Sequence, residues 1–190
     1  MNLDLFLRAF TLIILTLNRT YWFITKPKAD RAKPKTKKQP IVWELAAIIS
    51  GGVLIFFTLL GLRIFPFDNI YLQIVGFVLV LIGFIEGIWA RYLLSDNWAE
   101  SYNFQIKKDH ELITAGIYKY LRHPIYSGFY FLAVGSLLVS SSWLFLPIAV
   151  LLFPAMSKCG QREELILIKH FGEKYRLYMQ NSKRLIPFIY

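Results

Sequence analysis

"IYSGFYFLAVGSLLVSSSWLFLPIAVLLFPAM", Ile125 to Met156, runs for 32 residues without Asp, Glu, Lys, Arg or His. As one helix it would extend about 48 Å at ~1.5 Å per residue, against a hydrocarbon core about 30 Å thick. Near its middle stands "SSSW" (Ser140 to Trp143), a serine cluster suited to a turn, with a tryptophan suited to an interface. The run therefore reads as a helical hairpin, with arms from about Pro124 to Val139 and from about Trp143 to Lys158. Each arm is short for a full crossing, which calls for tilt, thin cover or continuing helix at its ends. Gly128 and Gly135 are positions where the arms could pack closely.

Working outward, two more uncharged runs precede the hairpin, Leu45 to Leu62 and Ile70 to Ile85. A soluble domain rarely needs even one such run, so the chain reads as an all-α integral membrane protein. Spans are expected at about Leu5 to Ile24, Trp43 to Leu62 and Ile70 to Ala90, which with the hairpin makes five. Arg8 and Arg19 near the ends of the first span are expected to snorkel to the headgroups. "RIFPFDN" (Arg63 to Asn69) is short enough only for a tight turn. The first apolar stretch lacks a basic leader and a small-residue cleavage site, so it is expected to be retained. A length of 190 residues suits a single membrane domain. Its N-terminal helices would occupy 1–69, with a basic cytosolic loop at 25–40, and the functional core 70–190.

Charge sets the orientation. The net charge is +10, and "TKPKADRAKPKTKKQP" (Thr25 to Pro40) carries seven Lys or Arg against one Asp. Beside membrane helices such a tract holds a loop inside and touches anionic lipid headgroups. Nucleic acid is not expected, because no aromatic interleaving accompanies it. With that loop inside, the N-terminus lies outside and the C-terminus is cytoplasmic. The three inner regions, 25–40, 91–122 and everything after 157, then hold 19 of the 22 Lys and Arg. Asn97, His110, Arg122, His123, Glu163, Glu164 and Arg184 all fall on the cytoplasmic face.

Among these, "GIYKYLRHPIYSG" (Gly116 to Gly128) gathers polar chemistry at the edge of the apolar run. Pro124 holds His123 extended or marks a helix start, which fixes the imidazole where loop meets buried helix. His123 can cap, anchor or hydrogen-bond a small ligand, and Arg122 can bind lipid phosphate. The tail repeats Glu164, Ile168, Phe171, Tyr175 and Tyr178 at helical spacing, with Gly172 as a possible interruption. Glu163 and Glu164 sit near the start of that stripe, either favouring a helix dipole or reaching into a polar site. Glu86, near the inner end of the third span, should face protein or pocket and not lipid. Metal ligation is not expected, since His110, His123 and His170 share no ligand spacing. The single cysteine, Cys159, excludes a disulfide framework and a thiolate metal site.

Two motifs carry a resemblance. "GIYKYLRHPIYSG" resembles the GxYxxxRHPxYxG signature of the isoprenylcysteine carboxyl methyltransferases and their phospholipid methyltransferase relatives. "EELILIKHFGEKYRLYMQNSKRLIP" (Glu163 to Pro187) is similar to that family's EExxLxxxFGxxYxxYxxxxxRLIP tail, and "NWAE" (Asn97 to Glu100) matches its Asn-Trp element. The resemblance covers roughly residues 70 to 190. It implies S-adenosylmethionine-dependent methyl transfer to a lipophilic or prenylated acceptor, with the cofactor enclosed by the last helices and the tail. It places Asn97, Trp98, Tyr118, Arg122, His123, Pro124, Tyr126 and Glu163 at the cofactor, and Glu163, Glu164 and Arg184 at the chemistry. One departure stands out: Cys159 occupies the position where carboxyl methyltransferases tend to carry an arginine. Two other function classes are carried alongside. An NADPH-dependent sterol or enone reductase would share the aromatic tail but usually has more helices. A non-enzymatic transport or assembly protein would leave the RHP and EE segments unexplained.

Overall fold

The computed structural model describes residues 3–25, 65–97 and 111–190. The expected second span, the basic tract beyond Thr25, Trp98 and His110 lie outside the described residues. Their regular elements are all helices, with two isolated β-bridges and no strand among the described residues. The α-helices are α1 (Leu3–Ile24), α2 (Ile70–Leu94), α3 (Pro124–Val139), α4 (Phe145–Phe171) and α5 (Glu173–Asn181). Short 3₁₀ turns lie at Ser95–Asn97 and Gly116–Lys119.

Local chemistry explains where α2 starts and which way it faces. Asn69 caps it, its Oδ1 accepting from the Tyr71 and Leu72 N–H groups at 3.0 and 3.1 Å. At 25 residues α2 is, among the described residues, the helix long and apolar enough to cross a bilayer alone. Tyr71, Ile74, Val78, Leu81, Ile85, Trp89 and Tyr92 form an exposed apolar stripe along it. Gln73, Val80, Glu86 and Ala90 occupy the opposite, buried face. Glu86 thus faces protein, as expected of a carboxyl at that depth.

The chain divides into two compact units, Met1–Phe84 with Phe131–Pro147, and Ile85–Tyr130 with Ile148–Tyr190. In the first unit, Ile14, Val80 and Leu132 form the core, with Leu15, Phe77 and Phe84 packed on it. Gly135 and Gly76 let α3 and α2 touch: a Cβ on Gly135 would lie 2.5 Å from the Gly76 carbonyl oxygen. The close approach offered by Gly135 is therefore to α2. Arg8 does not snorkel. It is 7% exposed and pairs with Asp4 at 2.9 Å, where Gln73 also donates to Asp4 at 2.6 Å. A charged group with a partner inside the protein gains more from it than from reaching for the headgroups. The serine turn lies where the sequence places it. Phe67 N–H donates to the Ser141 carbonyl at 3.1 Å and Trp143 N–H to the Phe65 carbonyl at 2.9 Å.

In the second unit, the later arm runs well beyond Lys158. α4 continues through Pro154 to Phe171, so Glu163 and Glu164 lie in its body and not at a helix start. Gly172, at φ 58°, then separates α4 from α5. The amphipathic stripe survives this break: Glu164 and Tyr175 are buried, and Ile168, Phe171 and Tyr178 partly so.

Candidate functional site

All of the site described here lies in the second unit. Its frame is a backbone seam. Leu121 bridges Lys183 in parallel, Arg122 N–H donates to the Lys183 carbonyl at 2.8 Å, and His123 N–H to the Arg184 carbonyl at 3.1 Å. Tyr178 from α5 ties the same segment down, its hydroxyl donating to the Tyr118 carbonyl at 2.6 Å. The tail folds back on itself, with Leu185 N–H donating to the Tyr190 carbonyl at 2.7 Å. These bonds set the RHP segment and the RLIP segment side by side, although the Tyr118 and Tyr178 that tie them lie 60 residues apart.

Side chains from both segments converge on the two glutamates of α4. Glu164, with its side chain 4% exposed, accepts from Arg122 Nε at 2.7 Å and from Arg184 Nη2 at 2.8 Å. Arg122 spends its remaining reach on the Met179 carbonyl at 3.1 Å and on the Ser182 carbonyl. It is thus buried inside the protein, which excludes the lipid-phosphate role. Arg184 Nη1 donates to the Tyr190 hydroxyl at 2.8 Å, and that hydroxyl lies 2.8 Å from Ser157 Oγ. Glu163 accepts from the Tyr126 hydroxyl.

His123 sits between the carboxylates. Its Nδ1 is 3.4 Å from Glu163 and its Nε2 is 3.4 Å from Glu164. At 6% exposure Nε2 still has no aligned hydrogen-bond partner. The ring stacks on Tyr126 with centroids 5.6 Å apart. It also lies flat against α4 at Gly160, where a Cβ would stand 2.9 Å from Cδ2 and 3.1 Å from Nε2. Only the absence of a side chain there allows the contact.

The electrostatics follow from this packing. Burial acts to lower the His123 pKa, but the two carboxylates, Glu163 foremost, outweigh it and raise it above the ordinary imidazole value. Burial acts to raise the Glu164 pKa, yet His123, Arg184 and Arg122 hold it well below the usual carboxylate range. Glu164 is therefore a saturated anion. Glu163, more exposed and with a single neutral donor beside His123, is the carboxylate with capacity left for a ligand.

Of the expected site residues, Arg122, His123, Tyr126, Glu163, Glu164 and Arg184 are brought together, with Pro124 starting α3 beside them. Tyr118 is buried next to them, its hydroxyl 3.4 Å from the Ala90 carbonyl. Asn97 is engaged elsewhere, accepting from the Glu111 N–H at 3.0 Å. Trp98 is outside the described residues. Gly160, Ser157, Ser182 and Tyr190 were not singled out from the sequence. For Gly160 a signal existed, since it lies one helical turn before Glu164 and so shares its face.

Several known proteins have related sequences. Over 120 residues the chain is 31% identical to a rice (Oryza sativa subsp. japonica) probable protein-S-isoprenylcysteine O-methyltransferase, covering 63% of each chain. It is 36% identical over 83 residues to the Schizosaccharomyces pombe protein-S-isoprenylcysteine O-methyltransferase, 35% of that protein's length. The human enzyme of that name is 25% identical over 120 residues, 42% of its length. The chain thus spans between about a third and two thirds of these relatives. In fold it resembles a solved eukaryotic intramembrane Ras methyltransferase, an isoprenylcysteine carboxyl methyltransferase. The TM-score is 0.63 at 22% identity, over 89% of this chain and 60% of that one. The phospholipid methyltransferase family model matches residues 71–174, a span that holds His123, both glutamates and the helices that bear them. By that match over more than half its length, the chain belongs to the phospholipid methyltransferase family.

Proposed function

We propose that this chain transfers a methyl group from S-adenosylmethionine to a lipophilic acceptor in the bilayer, of the isoprenylcysteine carboxylate type named for its relatives. One observation carries the reading: His123 is buried between two carboxylates, and its Nε2, 3.4 Å from Glu164, has no aligned hydrogen-bond partner. An atom so placed can take a ligand. The surrounding chemistry fits this cofactor. Glu163 suits an ammonium or sugar hydroxyls, and the aromatic faces of Tyr118 and Tyr126 suit a cationic sulfur. The cofactor would supply an electrophilic methyl group at that sulfur. The protein's work is then alignment and exclusion of water.

Within this reading, His123 and Glu163 bind the cofactor, with Tyr118, Pro124 and Tyr126 as its wall. Arg122 acts through Glu164, holding that carboxylate in place. Arg184 orients the acceptor: a carboxylate is already a nucleophile and needs only a positive neighbour. Residues 70–190 form the methyltransferase core of a five-span protein whose N-terminus is outside and whose tail is cytoplasmic. Its 25–40 loop rests on anionic headgroups, and helix ends and tail cover the cofactor from the cytosol.

Calorimetric titration of the detergent-purified protein with S-adenosylmethionine, and separately with NADPH, tests this. Micromolar binding of the first, lost in His123→Ala, is the expected result. Binding of NADPH alone would move the protein to the reductases, and binding of neither by folded protein would end the proposal.

A further inference from the structure

Arg184 is held from two sides. Glu164 accepts from its Nε, at 3.2 Å to both carboxylate oxygens, and from its Nη2 at 2.8 Å. The Tyr190 hydroxyl accepts from Nη1 at 2.8 Å, and the tyrosine ring lies over the guanidinium, 5.4 Å from Cζ to the ring centroid. A guanidinium carries five N–H donors. Three are engaged within the protein, and one remains on each terminal nitrogen.

Tyr190 has a built seat on α4. Phe153, Ser157 and Gln161 stand four residues apart, which puts them on one face of that helix. The Tyr190 ring packs on Phe153 with centroids 5.6 Å apart, and its hydroxyl lies 2.8 Å from Ser157 Oγ. Gln161 reaches the same hydroxyl from the next turn. The hydroxyl is thus fixed between a cation and a helix. The chain turns sharply to bring it there. Phe188 adopts φ 65°, a left-handed conformation uncommon for a bulky residue. The Leu185 and Ile186 N–H groups both donate to the Tyr190 backbone oxygen, at 2.7 and 2.8 Å. Phe188 and Ile189 are strongly exposed, so burial of their side chains does not account for the turn. What the turn secures is the seat of Tyr190.

We infer that Tyr190, backed by Ser157, is a positioning residue that holds the Arg184 guanidinium with its two remaining N–H groups toward the acceptor. This rests on the methyl-transfer reading, in which Arg184 faces the reacting group. Glu164 does not suffice alone, because it is shared with Arg122 and His123 and grips only one edge of Arg184. Tyr190 grips the nitrogen that Glu164 leaves free and covers one face of the guanidinium.

The test compares wild type, Tyr190→Phe, Ser157→Ala and the double variant, all as full-length protein in detergent. One readout needs no acceptor: the rate at which phenylglyoxal modifies Arg184, followed by peptide mass spectrometry. The other is methyl transfer from S-adenosylmethionine to N-acetyl-S-farnesylcysteine, resolved into kcat and KM. Tyr190→Phe keeps the ring and removes the hydroxyl. It should speed modification of Arg184 and raise the acceptor KM about three- to tenfold, the effect expected of losing one such hydrogen bond. Both kcat and S-adenosylmethionine affinity should stay within about twofold, as for an interaction made equally in ground and transition states. Ser157→Ala should act in the same direction and add nothing on the Tyr190→Phe background, because it works through the hydroxyl. A merely structural role would lower Tm and leave the acceptor KM in place. Unchanged Arg184 reactivity in Tyr190→Phe overturns the inference. So does faster modification with an unchanged acceptor KM, or full additivity in the double variant. The methyl-transfer reading fails separately, as absence of S-adenosylmethionine binding or of transfer by the wild type. Arg184 reactivity then still decides whether Tyr190 holds it.

Discussion

At the residue scale, the site divides its two adjacent glutamates between two tasks. Glu164 holds Arg122 and Arg184 together, and truncating one partner of a buried ionic group leaves the others uncompensated. Glu164→Ala is expected to cost about 3–5 kcal/mol of stability, read as a fall in Tm in detergent. Glu163→Gln should lower Tm less than Glu164→Ala does, because only His123 loses a charged partner, and should weaken S-adenosylmethionine binding roughly tenfold, by loss of a charged acceptor. The pH dependence has a definite sign. The raised His123 pKa means its contribution is complete below the ordinary imidazole value, about 6.5, and fades as pH rises through the folded value. The lowered Glu164 pKa gives a contribution complete above the ordinary carboxylate value, about 4.3, and lost as pH falls from there. The Tm difference between wild type and His123→Gln should therefore shrink as pH rises above the ordinary imidazole value. A constant difference would show that His123 does not carry its charge in the folded protein.

At the element scale, two glycines fix how close neighbouring elements come. Gly160 puts the α4 backbone against the His123 ring, and a Cβ would stand within 2.9 Å of a ring already held by stacking and two carboxylates. Gly160→Ala is expected to displace that ring and weaken S-adenosylmethionine binding about tenfold, in line with overpacking costs of roughly 1–3 kcal/mol. Unchanged calorimetric affinity would mean that the ring's position does not matter to the ligand. Gly135 meets backbone at 2.5 Å, which no rotamer change relieves. Gly135→Val should therefore lower Tm by more than Gly160→Ala does, while acting in the other unit.

At the scale of the whole molecule, charge distribution and the single cysteine give a test of topology. Cys159, the only cysteine, is partly exposed on α4 just past the apolar run. A membrane-impermeant maleimide should label it in inside-out vesicles and spare it in right-side-out ones. Leu3→Cys in a Cys159→Ser background should show the reverse. Identical labelling of both positions from one side would require a different number of spans.

The sequence by itself determined what depends on neighbours in the chain. The α3 boundaries are legible because Pro124 suits a helix start and the serine cluster breaks the charge-free run near its middle. The start of α2 is legible because Asn69 caps it. The stripe from Glu164 to Tyr178 is legible because burial repeats with the helical period, even across Gly172. Arg122, His123, Tyr126, Glu163, Glu164 and Arg184, which the structure brings together, were named through the resemblance that the RHP and EE segments carry. Their partners were not. Arg122 and Glu164 are 42 residues apart and Arg184 and Glu164 are 20 apart, so no local periodicity reports the pairing. Arg8 read as a snorkelling side chain because its burial depends on α2, whose Gln73 donates to the same Asp4 carboxylate that Arg8 pairs with. The length of α4 was hidden because Lys158 and Arg162 end the apolar pattern without ending the helix, whose backbone bonds do not depend on hydropathy. Tertiary structure alone decided which glutamate is saturated and which is free to bind, because that depends on where the tail returns and which guanidinium groups it brings.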